Sequence, residues 1–209
     1  MIAIVDYRAG NLPSVLRALR HLGQDGRITS DPAEIARADR IIFPGVGAAG
    51  DCMRNLRELK LIKVLRAAVD DGKPFLGICI GYQMLFERSE EDGGVACLGI
   101  LPGRVVRFPE PLQPAEAERP LKVPHMGWNE VRFLGQHPVW KDIPPRSEFY
   151  FVHSYYPVPL PEVVAAETEY GVSFASGVAS GSLVAFQFHP EKSGAPGLRL
   201  LANFCTWRS

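Results

Sequence analysis

The chain has 209 residues, of which 46% are hydrophobic and 22% are charged, and its formal net charge is zero. This length can bury one substantial core, so we expect a single domain over residues 1–209. The balanced charge argues against a nucleic-acid partner, because phosphate binding needs a basic surface. No apolar run approaches the roughly 18 residues of a membrane span, and the N-terminus lacks a basic leader. Together with four cysteines that lack CxxC spacing, these features predict a cytoplasmic protein with reduced thiols and no membrane contact.

Strands and helices alternate along the first half of the sequence. Continuous apolar runs predict strands at 2–6, 27–30, 40–44 and 74–78. Helical spacing of apolar residues predicts helices at 11–22, 32–38 and 61–72. Such alternation requires crossover connections, so it predicts a mainly parallel sheet between two layers of helices.

The second half changes character, because strand-like segments follow one another with short turns. These segments are 104–108, 129–133, 148–154, 162–171, 172–181 and 183–190. We expect them to form antiparallel hairpins on the same sheet, and a helix from about Pro196 to Trp207 to close the chain. The proline-rich segment 109–120 is predicted to be a mobile surface loop. The predicted fold is thus a doubly wound mixed sheet, mainly parallel, with antiparallel strands in its C-terminal half.

Cys79 lies where a strand pattern changes to a helix pattern, in the segment "FLGICIGYQMLF". Ligands of doubly wound sheets bind at the carboxyl ends of the strands, which is where this cysteine falls. A tight strand–turn–helix elbow exposes its central side chain and needs small neighbours, which Gly77 and Gly81 supply. The N-terminus of the following helix favours a thiolate. The alternative is a buried structural cysteine in a tight turn.

A thiol nucleophile needs a base and an orienting partner, and "FQFHPEKS" offers both. Residues two apart in an extended segment project to the same side, so Glu191 can reach the imidazole of His189. Pro190 keeps His189 extended. Alone, this segment could be a surface His-Pro turn, but with the elbow it predicts a Cys79–His189–Glu191 triad.

The glycine-rich segment "IIFPGVGAAGD" formally contains the dinucleotide pattern G-x-G-x-x-G. We reject that interpretation because the segment follows the third strand and the acidic residues about twenty positions later end a helix. The segment is better explained as an oxyanion strand, in which the amide of Val46 or Gly47 pairs with that of Ile80. The sequence has no phosphate loop and no metal-ligand spacing, so we expect neither a cofactor nor a metal.

Five segments together resemble a known family: "PGVGA", "GICIGYQ", "PHMGWN", "YFVHSY" and "FQFHPEKS". In this order they resemble the class I glutamine amidotransferases. With "DYxxGNL" at 6–12, they more narrowly resemble the glutaminase subunits of imidazole glycerol phosphate synthase, from histidine biosynthesis. Arg8 departs from the family, which favours a small residue there.

The resemblance implies that Cys79 attacks the side-chain amide of glutamine and that ammonia leaves from a cysteinyl thioester. The implied glutamine-binding residues are Gln83, His153, Ser154 and Tyr155, with ordinary strand packing as the alternative for the last three. Released ammonia would protonate in water, so it must pass directly to a second active site, and this chain offers none. The family implies a heterodimer with a (β/α)₈-barrel cyclase subunit, which makes imidazole glycerol phosphate and an aminoimidazole carboxamide ribotide.

Motif matches also imply a set of partner-facing residues, namely Met126, Trp128, Asn129, Tyr150 and Lys192. Trp128 suits an interface anchor, because aromatic residues are enriched there, but a core position is an equal alternative. The glycine-rich backbone at 45–47 is a physical place for partner control, because a peptide flip there makes or removes an oxyanion donor.

Three other functions remain open from the sequence. The first is the glutaminase of another pathway, such as pyridoxal phosphate, anthranilate or guanylate synthesis, against which "PHMGWN" and "DYxxGNL" argue. The second is a partner-independent thiol hydrolase on the same flavodoxin-like sheet. The third is a redox-sensing or scaffold protein, for which loss of the Cys79 thiol would leave function untouched.

Overall fold

Strands and helices alternate through the first 83 residues of the computed structural model, which describes residues 1–112 and 121–208. The strands are β1 (Ile2–Val5), β2 (Gly26–Thr29), β3 (Arg40–Phe43) and β4 (Phe75–Ile78). The helices are α1 (Leu12–His21), α2 (Pro32–Arg37), α3 (Ala49–Glu58), α4 (Leu61–Asp70) and α5 (Ile80–Gln83). The predicted strands and helices of this half are confirmed to within a few residues, and α3 is additional.

The rest of the described chain is mainly strands. They are β5 (Arg88–Ser89), β6 (Val95–Ala96), β7 (Gly103–Arg107), β8 (His125–Glu130), β9 (Arg132–Phe133), β10 (Glu148–His153), β11 (Tyr155–Pro159), β12 (Val164–Glu169), β13 (Ser173–Ser180) and β14 (Leu183–Phe186). Helix α6 (Gly194–Thr206) follows. The predicted loop at 109–120 lies mostly outside the described residues. No helix in the described ranges is long and apolar enough to cross a membrane.

The central sheet has eight strands in the order β2-β1-β3-β4-β14-β13-β12-β9. The pairings from β2 to β14 are parallel, and those from β14 to β9 are antiparallel. Every residue of β1, β4 and β14 is buried, as expected of parallel strands covered on both faces. Two apolar clusters, one containing Ile4 and Leu76 and the other Val5 and Phe75, form the core. The predicted mixed sheet is confirmed.

The prediction that all the later strands join this sheet is wrong for two groups. Strands β11, β7, β5 and β6 form a separate four-stranded sheet, and β8 pairs only with β10. The β8–β10 pair lies against the core as a layer, because Phe149 and Phe151 of β10 pack on the ring of Phe188 with centroids 4.2 and 5.7 Å away. An apolar pattern identifies a strand but does not identify its neighbour, so the sequence could not separate these sheets.

Candidate active site

Cys79 occupies the elbow between β4 and α5 with a positive φ of 56° and a ψ of −111°. Two small neighbours make this turn possible. A Cβ at Gly81 would lie 1.8 Å from the carbonyl oxygen of Phe43, and one at Gly77 would lie 2.9 Å from the Cβ of Ala185. The predicted reason for both glycines, crowding of the backbone around the elbow, therefore agrees with the geometry. The predicted exposure of the cysteine is wrong, because Cys79 is only 6% exposed.

His189 and Glu191 follow β14 and form a buried ion pair. The Nδ1 of His189 lies 2.8 Å from Oε1 of Glu191, and each side chain is 2% exposed. His189 is extended (φ −102°, ψ 94°) ahead of Pro190. Its backbone N–H donates to the carbonyl of Tyr150 at 2.9 Å, which fixes the imidazole beside β10.

The other imidazole nitrogen, Nε2, is buried and has no hydrogen-bond partner within the described part of the chain. Burial lowers the pKa of His189, but the Cys79 sulfur and the Glu191 carboxylate outweigh burial and raise this pKa to about 10. The sulfur and the carboxylate thus both favour the charged imidazolium over the neutral ring.

A cavity of about 310 Å³ adjoins the elbow. It is lined by Val46, Gly47, Cys79, Ile80, Gln83, Glu91, Pro124, Val152, His153, Ser154 and Tyr155. The structure thus brings every predicted oxyanion and glutamine-binding residue to one cavity with the cysteine. A larger groove of about 940 Å³, lined in part by Arg132, Trp140 and Arg146, contains none of these residues.

The two glycines of the segment 44–47 have different surroundings. A Cβ at Gly45 would lie 1.7 Å from the hydroxyl oxygen of Tyr7, so only glycine fits there. Gly47 has a φ of +113° and free space around its α-carbon. Helix α3 begins shortly afterwards. The N–H of Ala49 donates to the Glu91 carboxylate at 2.8 Å, and the N–H of Gly50 donates to the Asp92 carboxylate at 3.0 Å. These two carboxylates therefore cap the N-terminus of α3 from 42 positions later in the sequence.

Glu91 is a site residue that the sequence analysis missed. Its carboxylate lines the cavity, and burial raises its pKa despite the hydrogen bond from Ala49. A glutamate in a polar run after the elbow helix carries no local signal of a cavity position.

Gln187 was also missed. Its Nε2 lies 3.7 Å from the Cys79 sulfur, and its Oε1 accepts from Gln83 Nε2 at 3.1 Å. Gln83 Nε2 also donates to the carbonyl of Tyr155 at 2.9 Å. Gln187 is fully buried, and a polar residue inside the apolar run "LVAFQFH" is the signal that could have identified it.

Four of the five predicted partner-facing residues lie together at the surface, two of them exposed and two, Tyr150 and Lys192, half-buried. Met126 and Trp128 are 62% and 54% exposed, which excludes a core position for Trp128. The Trp128 ring packs edge to face on Tyr150, and Lys192 Nζ lies 5.6 Å above the Tyr150 ring. Asn129 lies apart, because its amide donates to the carbonyl of Glu169 at 2.9 Å. We call Met126, Trp128, Tyr150 and Lys192 the exposed aromatic cluster.

A cysteine on a strained elbow, a buried His–Glu pair and an adjoining cavity define an α/β protein with a candidate thiol site, and comparison with known proteins specifies the family. A sequence profile described as glutamine amidotransferase class-I matches residues 3–207. The chain belongs to the class-I glutamine amidotransferase family.

Two relatives show which proteins of this family the chain is similar to. The chain is 55% identical to the imidazole glycerol phosphate synthase subunit HisH of Methylococcus capsulatus, over 99% of this chain and 96% of that protein. It is 54% identical to the HisH subunit of Aromatoleum aromaticum, over 99% and 98%. The PurLQS structure from Thermotoga maritima has a TM-score of 0.73 at 17% identity, over 97% of this chain and 96% of that one, and it supports the fold alone.

Proposed function

We propose that this chain is the glutaminase subunit of imidazole glycerol phosphate synthase, acting in the cytoplasm as one domain over residues 1–209. It hydrolyses glutamine to glutamate and ammonia and passes the ammonia to a (β/α)₈-barrel cyclase subunit in a heterodimer. The identity of 55% and 54% to HisH subunits over nearly whole chains supports this pathway over other amidotransferases. The observation that carries the chemistry is the buried His189–Glu191 pair beside the Cys79 elbow.

In the proposed first half-reaction, the Cys79 thiol proton has already passed to Nε2 of His189 when the sulfur attacks the side-chain carbonyl carbon of glutamine. The unpartnered Nε2 and the raised pKa of His189 support this transfer. The C–N bond then breaks, and the same proton goes to the departing nitrogen, which leaves as ammonia. Glu191 holds the hydrogen on Nδ1 and stabilises the imidazolium.

In the second half-reaction, water attacks the thioester carbonyl and gives its proton to His189. Glutamate leaves when the carbon–sulfur bond breaks, and the proton returns to the sulfur. Both tetrahedral intermediates carry an oxyanion. The backbone amides of Ile80 and of Val46 or Gly47 are its proposed donors, since these residues line the same cavity as the sulfur.

Glutamine also needs contacts for its remaining groups. Both amide hydrogens of Gln83 are already donated, so its Oε1 is the atom left to accept from a substrate N–H. Glu91 is the carboxylate among the cavity-lining residues, and we assign it to the α-ammonium group of glutamine. Residues 153–155 also line the cavity, and we assign their backbone groups to the remaining polar atoms of glutamine.

The experiment is labelling with a glutamine-mimicking diazo-ketone, followed by peptide mapping. Labelling on Cys79, accelerated when the barrel subunit and its ligand are added, is the expected result, and Cys79→Ser should abolish both labelling and glutamine turnover. Partner-independent hydrolysis of other amides would instead support a thiol hydrolase. Full function in Cys79→Ser would support a scaffold or redox sensor.

A further inference from the structure

Two buried histidines connect the outer strand pair to the cavity. His125 and His153 lie opposite each other on β8 and β10, and Nδ1 of His125 is 3.0 Å from Nε2 of His153. His153 Nδ1 lies 2.8 Å from the carbonyl oxygen of Tyr155. His125 Nε2 lies 3.3 Å from the side-chain nitrogen of Asn129. The proposed reaction assigns no role to His125.

The neighbours fix the hydrogens on both rings. The Asn129 amide orientation is set, because its Nδ2 donates to the Glu169 carbonyl and its Oδ1 accepts from the N–H of Glu130 at 2.8 Å. The second Nδ2 hydrogen therefore points to His125 Nε2, which must accept. At the other end, the Tyr155 carbonyl can only accept, so His153 Nδ1 carries a hydrogen. His125 Nδ1 then donates to His153 Nε2, and both rings are neutral Nδ1–H tautomers.

The surroundings keep the rings uncharged. Both side chains are buried, and His125 lies between the rings of Phe151 and Tyr170, with centroids 4.7 and 4.0 Å away. Burial lowers the pKa of His125 to about 4. Burial, with a smaller contribution from His125, lowers the pKa of His153 to about 3. At neutral pH, the tautomer of each ring is thus set by hydrogen bonding and not by protonation.

The Tyr155 carbonyl is the point where this pair meets the cavity. It accepts from His153 Nδ1 and from Gln83 Nε2, and Gln83 is joined through Gln187 to the Cys79 sulfur. If His153 adopted the other tautomer, the lone pair of Nδ1 would face the oxygen lone pairs of this carbonyl. Repulsion would then move the 153–155 segment away from Gln83.

We infer that His125 is a positioning residue, whose Nδ1–H anchors Nε2 of His153 and so keeps the 153–155 segment at the cavity wall. Its effect on glutamine binding rests on the proposed function, whereas its effect on His153 does not. His125 itself is absent from the cavity lining.

Two variants of the full chain separate the hydrogen bond from packing. His125→Leu removes the Nδ1 donor, whereas His125→Asn keeps an N–H at about the position of Nδ1. In the complex with the barrel subunit, we expect His125→Leu to raise the KM for glutamine about tenfold, with kcat changed less than threefold, because loss of one buried hydrogen bond is worth on the order of 1 kcal/mol. His125→Asn should restore most of the affinity.

His137→Leu is the matched control. His137 is a partly buried histidine whose Nδ1 accepts from the N–H of Val139 and whose ring stacks on Trp140, away from the cavity. This substitution should lower stability and leave the KM unchanged. An equal KM change in this control would overturn the inference, because it would show a general effect of destabilisation.

Nitrogen-15 NMR of histidine-labelled chain reads the tautomer directly. Wild-type His153 should be a neutral Nδ1–H tautomer at pH 7. His125→Leu should keep this tautomer, which the Tyr155 carbonyl also requires, but should shift the Nε2 resonance, because the Nε2 lone pair loses its donor. A wild-type Nε2–H tautomer or a charged ring overturns the inference, as does a His125→Leu variant with unchanged Nε2 resonance and KM. If the tautomers are as expected but no partner elicits glutamine hydrolysis, the proposed function fails and the positioning of His153 stands.

Discussion

Gln187 gives the Cys79 sulfur a defined hydrogen-bond donor. Its side-chain nitrogen is 3.7 Å from the sulfur, and Gln83 holds the amide in the orientation that presents this nitrogen. Hydrogen bonds to charged groups are worth about 1.5–3 kcal/mol, so the contact favours the thiolate. We expect Gln187→Met, which keeps the volume and removes the donor, to slow alkylation of Cys79 at pH 7 by about tenfold.

Iodoacetamide labelling with peptide mapping measures this rate selectively. All four cysteines are buried, but Cys79 lines the cavity, whereas burial raises the pKa of Cys97 and of Cys205 to about 11 and that of Cys52 well above its ordinary value. Thr168→Val is the control, since it removes a buried hydrogen bond to Ser176 within the β12–β13 pair and should leave the rate unchanged. An unaltered rate in Gln187→Met would show that the contact does not influence the sulfur.

The His189–Glu191 pair makes a pH-dependent contribution to stability. The pKa of His189 is raised from 6.5 to about 10, so between these values the folded state holds a proton that the unfolded state has lost. The stabilisation is therefore complete below about pH 6.5 and disappears as the pH rises through about 10. We expect Glu191→Gln to lower the free energy of unfolding by about 2 kcal/mol near pH 6.5 and by almost nothing above about pH 10.

Urea unfolding of both proteins across this range tests the sign. A stability difference that grows as the pH rises would mean that the imidazole is neutral in the folded protein. The difference between the two proteins is the quantity to compare, because the other groups titrate equally in both.

At the scale of elements, the elbow depends on the absence of a side chain at Gly81. Its φ is not positive, so the carbonyl of Phe43, 1.8 Å from a Cβ placed there, is the constraint. We expect Gly81→Ala to lower the free energy of unfolding by about 3 kcal/mol or more, as overpacking against rigid backbone does. Gly23→Ala is the control, because that glycine has a φ of +68° and free space and should lose only about 1 kcal/mol.

The oxyanion segment can be tested at Gly47 but not at Gly45. A side chain at Gly45 would overlap Tyr7 and Ile80, so its loss of activity would report misfolding. Gly47 has room, and its φ of +113° is unfavourable for a β-branched residue. We expect Gly47→Val to lower the partner-stimulated kcat at least tenfold while the Kd for glutamine changes less than threefold. Equal losses in both quantities would argue against a conformational role for this segment.

The missed elements show which signals a sequence lacks. Helix α3 has no capping side chain of its own, since Ala48 is its N-cap and the cap comes from Glu91 and its neighbour. Strand β11 contains two prolines, which argue against a strand, yet it lies at an edge of its sheet, where proline is tolerated. In both cases the stabilising partner is distant in sequence, so local pattern could not reveal it.

The same distinction applies to the candidate site. The elbow and the His-Pro-Glu turn each combine a backbone requirement with a reactive side chain within a few residues, so they could be predicted locally. Glu91 reaches the cavity, and Gln187 reaches the Cys79 sulfur, only through the fold. His125 is similar, because its role depends on the pairing of β8 with β10.

For the whole molecule, the β8–β10 pair extends from the cavity, which Val152 and His153 of β10 line, to an exposed surface. Strand β8 presents Met126 and Trp128 to solvent and His125 to the interior. A partner that docks on the exposed aromatic cluster and shifts β8 would therefore act on His153 through the strand pairing and through the hydrogen bond between the two rings. This arrangement gives the proposed partner a physical route to the glutamine site.

Trp128 is the expected anchor of that docking, because buried aromatic side chains dominate interface energies. We expect Trp128→Ala to weaken binding of the barrel subunit by about 2 kcal/mol, or roughly 30-fold in Kd. Its free energy of unfolding should change by less than about 0.5 kcal/mol, because the side chain is 54% exposed in the isolated chain. Isothermal titration calorimetry and urea unfolding measure the two quantities.

Leu160→Ala is the matched control, since Leu160 is 43% exposed outside the cluster and should not affect binding. If Trp128→Ala leaves Kd unchanged while Leu160→Ala weakens binding, the barrel subunit must dock on another face.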